Sequence, residues 1–281
     1  MRYGVKPWLL TPPRIRRRAL DAMALATSTP PGVVLSRQAR GGVHGVLFEP
    51  DGLRGPAGML YHHGGAYEAG SPGGTHRPLV AALARDAGLN AFAPDYRLAP
   101  EHPAPAALED ALDVYAAMAA EADDLVLAGD SAGGGLTLAL AVAVRDGKLP
   151  APGRIVLISP WVDLTCSGAS YTVNAGRDAL LPLAHLERGA ATYSANLGAE
   201  DPICSPIRSD LAGLPPMLIH AAGEELLLSD SQSLAARAKG DGVDVELRVF
   251  EGLWHDFHTH AGMLDEADEA VAELGSFARG A

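Results

Sequence analysis

The residues best suited to chemistry are those of Gly129-Asp130-Ser131-Ala132-Gly133. A serine flanked by small residues in a Gly-x-Ser-x-Gly turn can be held out of a tight bend, where its hydroxyl is exposed as a nucleophile. The turn needs a strand before it and a helix after it. The apolar run Asp124–Ala128 predicts the strand, and Ala132 to about Arg145 predicts the helix. A helix starting there points its positive end at the serine and favours negative charge. Upstream, His62-His63-Gly64-Gly65-Ala66 follows another short apolar run, Ala57–His62. Glycines let a backbone approach a substrate closely. The N–H groups of Gly64 and Gly65, with that of Ala132, are the expected donors to the oxyanion of acyl transfer.

A serine of this kind needs a base, and the base needs an acid to orient it. On a strand–turn–helix site the chain order is serine, acid, histidine. The histidines after Ser131 are His185, His220, His255, His258 and His260. His255 follows the predicted strand Val243–Phe250 by a short loop, which places it at a strand's C-terminal edge. His258 and His260 are close rivals. His220 lies within an apolar strand and reads as a core histidine. The acid should follow the strand Met217–Ala222, where Glu224, Glu225 and Asp230 stand. Glu225 is the first choice, Asp230 the second and Glu224 the third. Either carboxylate length can fix the imidazole tautomer and stabilise imidazolium.

The elements that must position these residues alternate along the chain. Strands are predicted at Val43–Phe48, Ala57–His62, Leu89–Pro94, Asp124–Ala128, Arg154–Ser159, Met217–Ala222 and Val243–Phe250. Helices fall near Pro78–Ala87, Ala104–Ala120, Ala132–Arg145, Leu183–Asn196, Ser229–Lys239 and Leu264–Phe277. That alternation predicts an α/β protein: a mostly parallel central sheet flanked by helices, with its site at the C-terminal strand ends. The irregular stretch at about 162–214 reads as an insertion at that edge. Residues 1–32, with Arg14, Arg16, Arg17 and Arg18 ahead of a short amphipathic helix, read as a cap segment, a membrane-surface helix being the other reading. Residues 33–281 form the catalytic domain.

Hydrophobic residues make up 48% of the 281 and charged residues 20%, enough for a sizeable core. The net charge of −12 argues against nucleic acid as a partner, because phosphate backbones need a basic footprint. No apolar run approaches the roughly 18 residues of a membrane span, so no stable membrane insertion is expected. The N-terminal apolar stretch is broken by Asp21, which favours a cytoplasmic protein and leaves secretion open. Cys166 and Cys204 show no metal-type spacing and read as two ordinary thiols, with a disulfide left open.

Several segments together resemble one family. His63-Gly64-Gly65-Ala66, Gly129-Asp130-Ser131-Ala132-Gly133-Gly134, Asp95–Pro103, Ser159–Leu164 and Asp210–Pro216 stand in the order seen in the bacterial hormone-sensitive-lipase-like (family IV) esterases of the α/β-hydrolase fold. The resemblance runs from about Val43 to the C-terminus. It implies a carboxylesterase-type serine hydrolase with a small helical cap, no cofactor or metal, and a small-molecule ester of short acyl chain as substrate. Many members carry an Asp-Pro-Leu triplet where this chain has Glu225-Leu226-Leu227. Asp95, Arg97 and Glu101 fall in a segment regarded as structural there. Lactones, carbamates or amides would suit the same site. A non-catalytic receptor or a lyase on this fold is a remoter reading. Dimers are frequent among similar enzymes, and a homodimer stays open. Tyr67, Trp8 and Trp161 are expected on the pocket wall.

Overall fold

The computed structural model describes residue 11, residues 13–24 and residues 29–280. Among these, eight strands form one sheet in the order β1-β2-β4-β3-β5-β6-β7-β8. The strands are β1 (Val33–Arg40), β2 (Val43–Pro50), β3 (Met59–His62), β4 (Ala91–Pro94), β5 (Val126–Asp130), β6 (Arg154–Ile158), β7 (Met217–Ala222) and β8 (Val245–Phe250). β1 and β2 pair antiparallel, as do β2 and β4; the remaining pairs are parallel. The helices are α1 (Pro13–Ala24), α2 (Arg77–Ala87), α3 (Ala106–Ala119), α4 (Ser131–Asp146), the single turn α5 (Ser170–Val173), α6 (Leu183–Tyr193), α7 (Leu228–Gly240) and α8 (Asp265–Arg279). None of the described helices is long and apolar enough to cross a membrane.

The central strands are apolar on both faces because helices cover both. Leu60, Leu127, Leu157 and Ile219 pack with Val114, Leu136, Leu140 and Leu234 on one face. Their strand neighbours Met59, Tyr61, Val126, Val156 and Leu218 pack with Leu79, Leu83, Val271 and Leu274 on the other. This is the two-residue alternation of a pleated strand.

Two differences from the expected elements bear on the site. β5 runs two residues further than its apolar run, because Gly129 and Asp130 pair with Leu157 and Ile158 of β6. The strand therefore delivers the chain directly to Ser131. β1 was not expected; its alternation Val-Val-Leu-Ser-Arg-Gln-Ala-Arg is broken by polar residues, and it sits at the sheet edge, joined to β2 through Gly41-Gly42. The N-terminal helix and the helix within 162–214 are present as α1 and α6.

Candidate active site

Ser131 joins β5 to α4 with φ of 51°. A non-glycine residue in that region is strained by about 1–3 kcal/mol, and here the turn holds the side chain at the sheet's C-terminal edge. Gly133 allows the bend: a Cβ there would lie 2.1 Å from the carbonyl oxygen of His62, so the first turn of α4 lies against the end of β3. The Ser131 carbonyl is tied by Trp161 N–H at 2.9 Å.

His255, three residues beyond the Gly252 turn that follows β8, brings both ring nitrogens into use. Nδ1 lies 2.8 Å from Glu225 Oε2 and Nε2 lies 3.0 Å from Ser131 Oγ. Glu225 is fully buried and held by Ala222 N–H, which donates to Oε1 at 3.0 Å. The insertion supports that loop: Asn174 Nδ2 donates to the carbonyls of Gly223 and Glu225, and Asp178 Oδ2 accepts from Leu226 N–H.

The alternatives have other partners. Asp230 accepts from Val162 and Asp163 N–H and from the Tyr171 hydroxyl, so it anchors the start of the insertion. Burial pushes its carboxyl up to about 7 despite those donors. Glu224 is forked by Arg177 at the surface. His258 faces His220 at 3.2 Å behind the site, with burial holding both neutral. His260 stands edge-on to Trp254. His185 lines the cavity but bonds to Arg188. Arg97 clamps Asp110 in a structural bridge.

The expected donor Gly64 is corrected. Its N–H donates to Asp130 Oδ2 at 2.9 Å, so it is already engaged. Gly65 and Ala66 instead line the cavity beside Ser131. Both sit at positive φ, 124° and 55°, and a Cβ on Gly65 would meet the Ala69 carbonyl at 2.1 Å. Ala132 N–H belongs to the first turn of α4, where helix N–H groups lack intrahelical acceptors.

Asp130 forms a network that its place inside the motif did not signal. It accepts from the Tyr61 hydroxyl at 2.7 Å and from Gly64 N–H, and it meets His76 Nε2 at 3.0 Å. Burial alone would raise this carboxyl, but His76 and Tyr61 outweigh it and hold it low. For His76 burial works downward and Asp130 wins, so the imidazole is raised. Asp256 was also missed. Its Oδ2 lies 2.9 Å from His255 Nε2.

The cavity above Ser131 is about 230 Å³. Leu20 of α1 and Leu180, Leu181 and Leu186 of the insertion give it apolar walls. Tyr67 and Trp161 are not on it: both are buried in the core, Tyr67 stacked on Tyr193 at 3.6 Å. Trp8 lies outside the described residues. Glu68 binds the upper elements together. Its Oε2 accepts from Arg16 of α1 at 2.5 Å and from Arg188 of α6 at 3.2 Å, and its Oε1 from Thr192 at 3.0 Å. Arg17 donates to the Glu68 and Ala99 carbonyls. Cys166 and Cys204 are free, and burial pushes both thiols up to about 12.

Known proteins share this arrangement of sequence and fold. The family described as alpha/beta hydrolase fold matches residues 59–259. The chain is 41% identical to an acetyl-hydrolase of Streptomyces hygroscopicus over 224 residues, 79% of this chain and 75% of that one. It is 36% identical to an esterase of Acinetobacter venetianus, over 78% of this chain and 74% of the other. The crystal structure of an esterase from the bacterial hormone-sensitive lipase family superposes with a TM-score of 0.92 at 35% identity, covering 99% of both chains.

Proposed function

The chain belongs to the hormone-sensitive-lipase-like esterases of the α/β-hydrolase fold, and from that premise we propose that it cleaves short-chain carboxylic esters through Ser131, His255 and Glu225. It is a carboxylesterase-type hydrolase. The observation that carries the assignment of residues is the double engagement of His255, with Glu225 on one ring nitrogen and Ser131 on the other.

Ser131 Oγ attacks the ester carbonyl carbon while His255 Nε2 takes its proton. Glu225 keeps the other proton on Nδ1 and stabilises the imidazolium that forms. Charge developing on the carbonyl oxygen meets the N–H groups of Gly65, Ala66 and Ala132, and each such donor contributes about 3–4 kcal/mol. His255 then protonates the leaving alcohol. Water attacks the acyl-enzyme by the same route in reverse and frees the acid. Asp130 serves this site indirectly by fixing Gly64, which sets the path of the loop that presents Gly65 and Ala66.

The short acyl chain is supported by the size of the cavity. Its 230 Å³ is below the roughly 300–1,000 Å³ of pockets for drug-sized ligands, and its upper walls are leucines. α1 and the insertion at 162–214 act as the cap that closes it. The test is Ser131→Ala with p-nitrophenyl acetate and butyrate. We expect loss of turnover, together with loss of covalent labelling by a fluorophosphonate in the mass spectrum. Turnover that persists would remove Ser131 from the mechanism. A parallel panel of lactones and amides on the wild-type protein ranks them against esters, since all would meet the same groups.

A further inference from the structure

His255 lies among three oxygen atoms, one more than the serine mechanism uses. Glu225 Oε2 faces Nδ1. Ser131 Oγ and Asp256 Oδ2 both face Nε2, at 3.0 and 2.9 Å. A carboxylate oxygen and an unprotonated imidazole nitrogen are both acceptors, so they do not rest 2.9 Å apart without a proton between them. Nδ1 uses its own proton on Glu225. The contact with Asp256 therefore requires a second proton, and while that proton is present the Nε2 lone pair is not open to Ser131.

We propose that Asp256 is a positioning residue that holds a proton on His255 Nε2 in the resting site, so that release of this proton sets the acidic limb of ester hydrolysis. The proposal rests on His255 being the base for Ser131.

Three further observations support it. Asp256 lines the same cavity as Ser131 and His76 and is 7% exposed. Its φ of 52° is in the left-handed region, which Asp tolerates better than most side chains and which fixes the direction of its carboxylate. Its Oδ1 is closed to solvent and has no hydrogen-bond partner among the described residues, so an ionised Asp256 depends on the proton that His255 presents to Oδ2.

The acidic groups facing the pair both favour a proton on it. Glu225 approaches from the loop after β7, and Asp130, with the Tyr61 hydroxyl upon it, from the end of β5. His76, at the start of α2, is already paired with Asp130. His185 of α6 and His258 of the following turn are kept neutral by burial, and so bring no opposing charge. Burial works to lower the His255 imidazole, but Asp256 and then Glu225 outweigh it and hold it well above its ordinary value. Burial and the charge of Asp130 raise the Asp256 carboxyl and His255 pulls it down, so Asp256 keeps its charge while the imidazole beside it is protonated.

The sign follows directly. A proton held on the base must leave before Ser131 can be activated, so activity rises with pH through the release. Asp256→Asn removes the negative charge that retains the proton and keeps the shape. The acidic limb of kcat/KM for p-nitrophenyl butyrate is expected to move to lower pH by about 1–3 units, the usual effect of a charge at this range. A limb that stays in place overturns the proposal. Should Asp256→Asn fail to fold, nitrogen-15 NMR of the wild-type histidines decides. Both His255 ring nitrogens are expected to be protonated at about pH 7, above the ordinary imidazole value of about 6.5. A neutral His255 at that pH overturns the proposal. Failure here is separable from failure of the serine mechanism: where Ser131→Ala abolishes turnover, an unmoved limb in Asp256→Asn rejects Asp256 alone, whereas turnover surviving Ser131→Ala rejects the premise.

Discussion

The floor and the roof of the cavity are built by different means. The floor places Ser131, Glu225 and His255 at the ends of β5, β7 and β8, strands whose neighbours fix them by backbone hydrogen bonds. The roof consists of α1 and the insertion, and its helices α1 and α6 converge on one carboxylate, Glu68. Strand ends hold atoms to fractions of an ångström because the whole sheet resists their movement. A helix tied by side chains to a buried carboxylate is located by fewer and more breakable contacts. Changes in the floor should therefore act on the chemical step, and changes in the roof on stability and on which ester fits.

The strongest way to break this contrast is to exchange the two acids that follow β7. Glu225→Gln keeps the size of the side chain but removes the charge that orients His255. If the proposed mechanism holds, a loss of about 10⁴-fold in kcat is expected, as for amide replacement of the acid in serine triads. Asp230→Asn touches only the anchor of the insertion. It should leave kcat within several-fold and lower stability by about 1–3 kcal/mol, the cost of disturbing buried hydrogen bonds to Val162 and Asp163. Steady-state kinetics and urea denaturation on the pair would check both halves. A large kcat loss in Asp230→Asn with Glu225→Gln unaffected would reverse the assignment.

The same contrast explains what could be read from the amino-acid sequence. The floor was legible because its residues are tied to short patterns at strand ends: the serine turn after β5, the acidic cluster after β7, the histidine after β8. The core strands were legible from their continuous apolar runs. The network around the floor was not. Asp130 and His76 are 54 residues apart and carry no local pattern that joins them. Gly64 and Gly65 look equivalent in sequence, and only the fold separates the one whose N–H is bound to Asp130 from the one that lines the cavity. Tyr67 and Trp161 are expected on the wall, yet their stacking and packing place them in the core. In the roof, the short amphipathic helix was apparent from its pattern. Its attachment was not, since the pairing of Arg16 with Glu68 spans 52 residues and that of Arg188 with Glu68 spans 120.

Glu68→Gln tests the roof's main attachment. It takes the negative charge from beside Arg16, which is only 2% exposed, and from Arg188. Removing one member of a buried ion pair typically costs about 3–5 kcal/mol, and that loss is expected in urea unfolding. At temperatures where the variant stays folded, kcat for p-nitrophenyl acetate should fall far less than in Glu225→Gln, while KM rises as the cavity loosens. A kcat loss matching that of Glu225→Gln would mean that the roof takes part in the chemistry and would dissolve the distinction.

The smallest effect should come from the roof's contact with substrate. Leu20 of α1 lines the cavity above Ser131 and makes none of the hydrogen bonds that position His255. Leu20→Ala removes apolar wall without touching the floor. Space opened there favours a longer acyl chain, and a methylene gained or lost in an apolar pocket is worth about 1–3 kcal/mol in kcat/KM. The ratio of hexanoate to acetate hydrolysis should rise by up to that amount, with kcat for acetate little changed. An acyl-length series on the variant and the wild type measures it. An unchanged ratio would mean that α1 does not bound the acyl chain, and would leave the insertion leucines Leu180, Leu181 and Leu186 as the part of the roof that does.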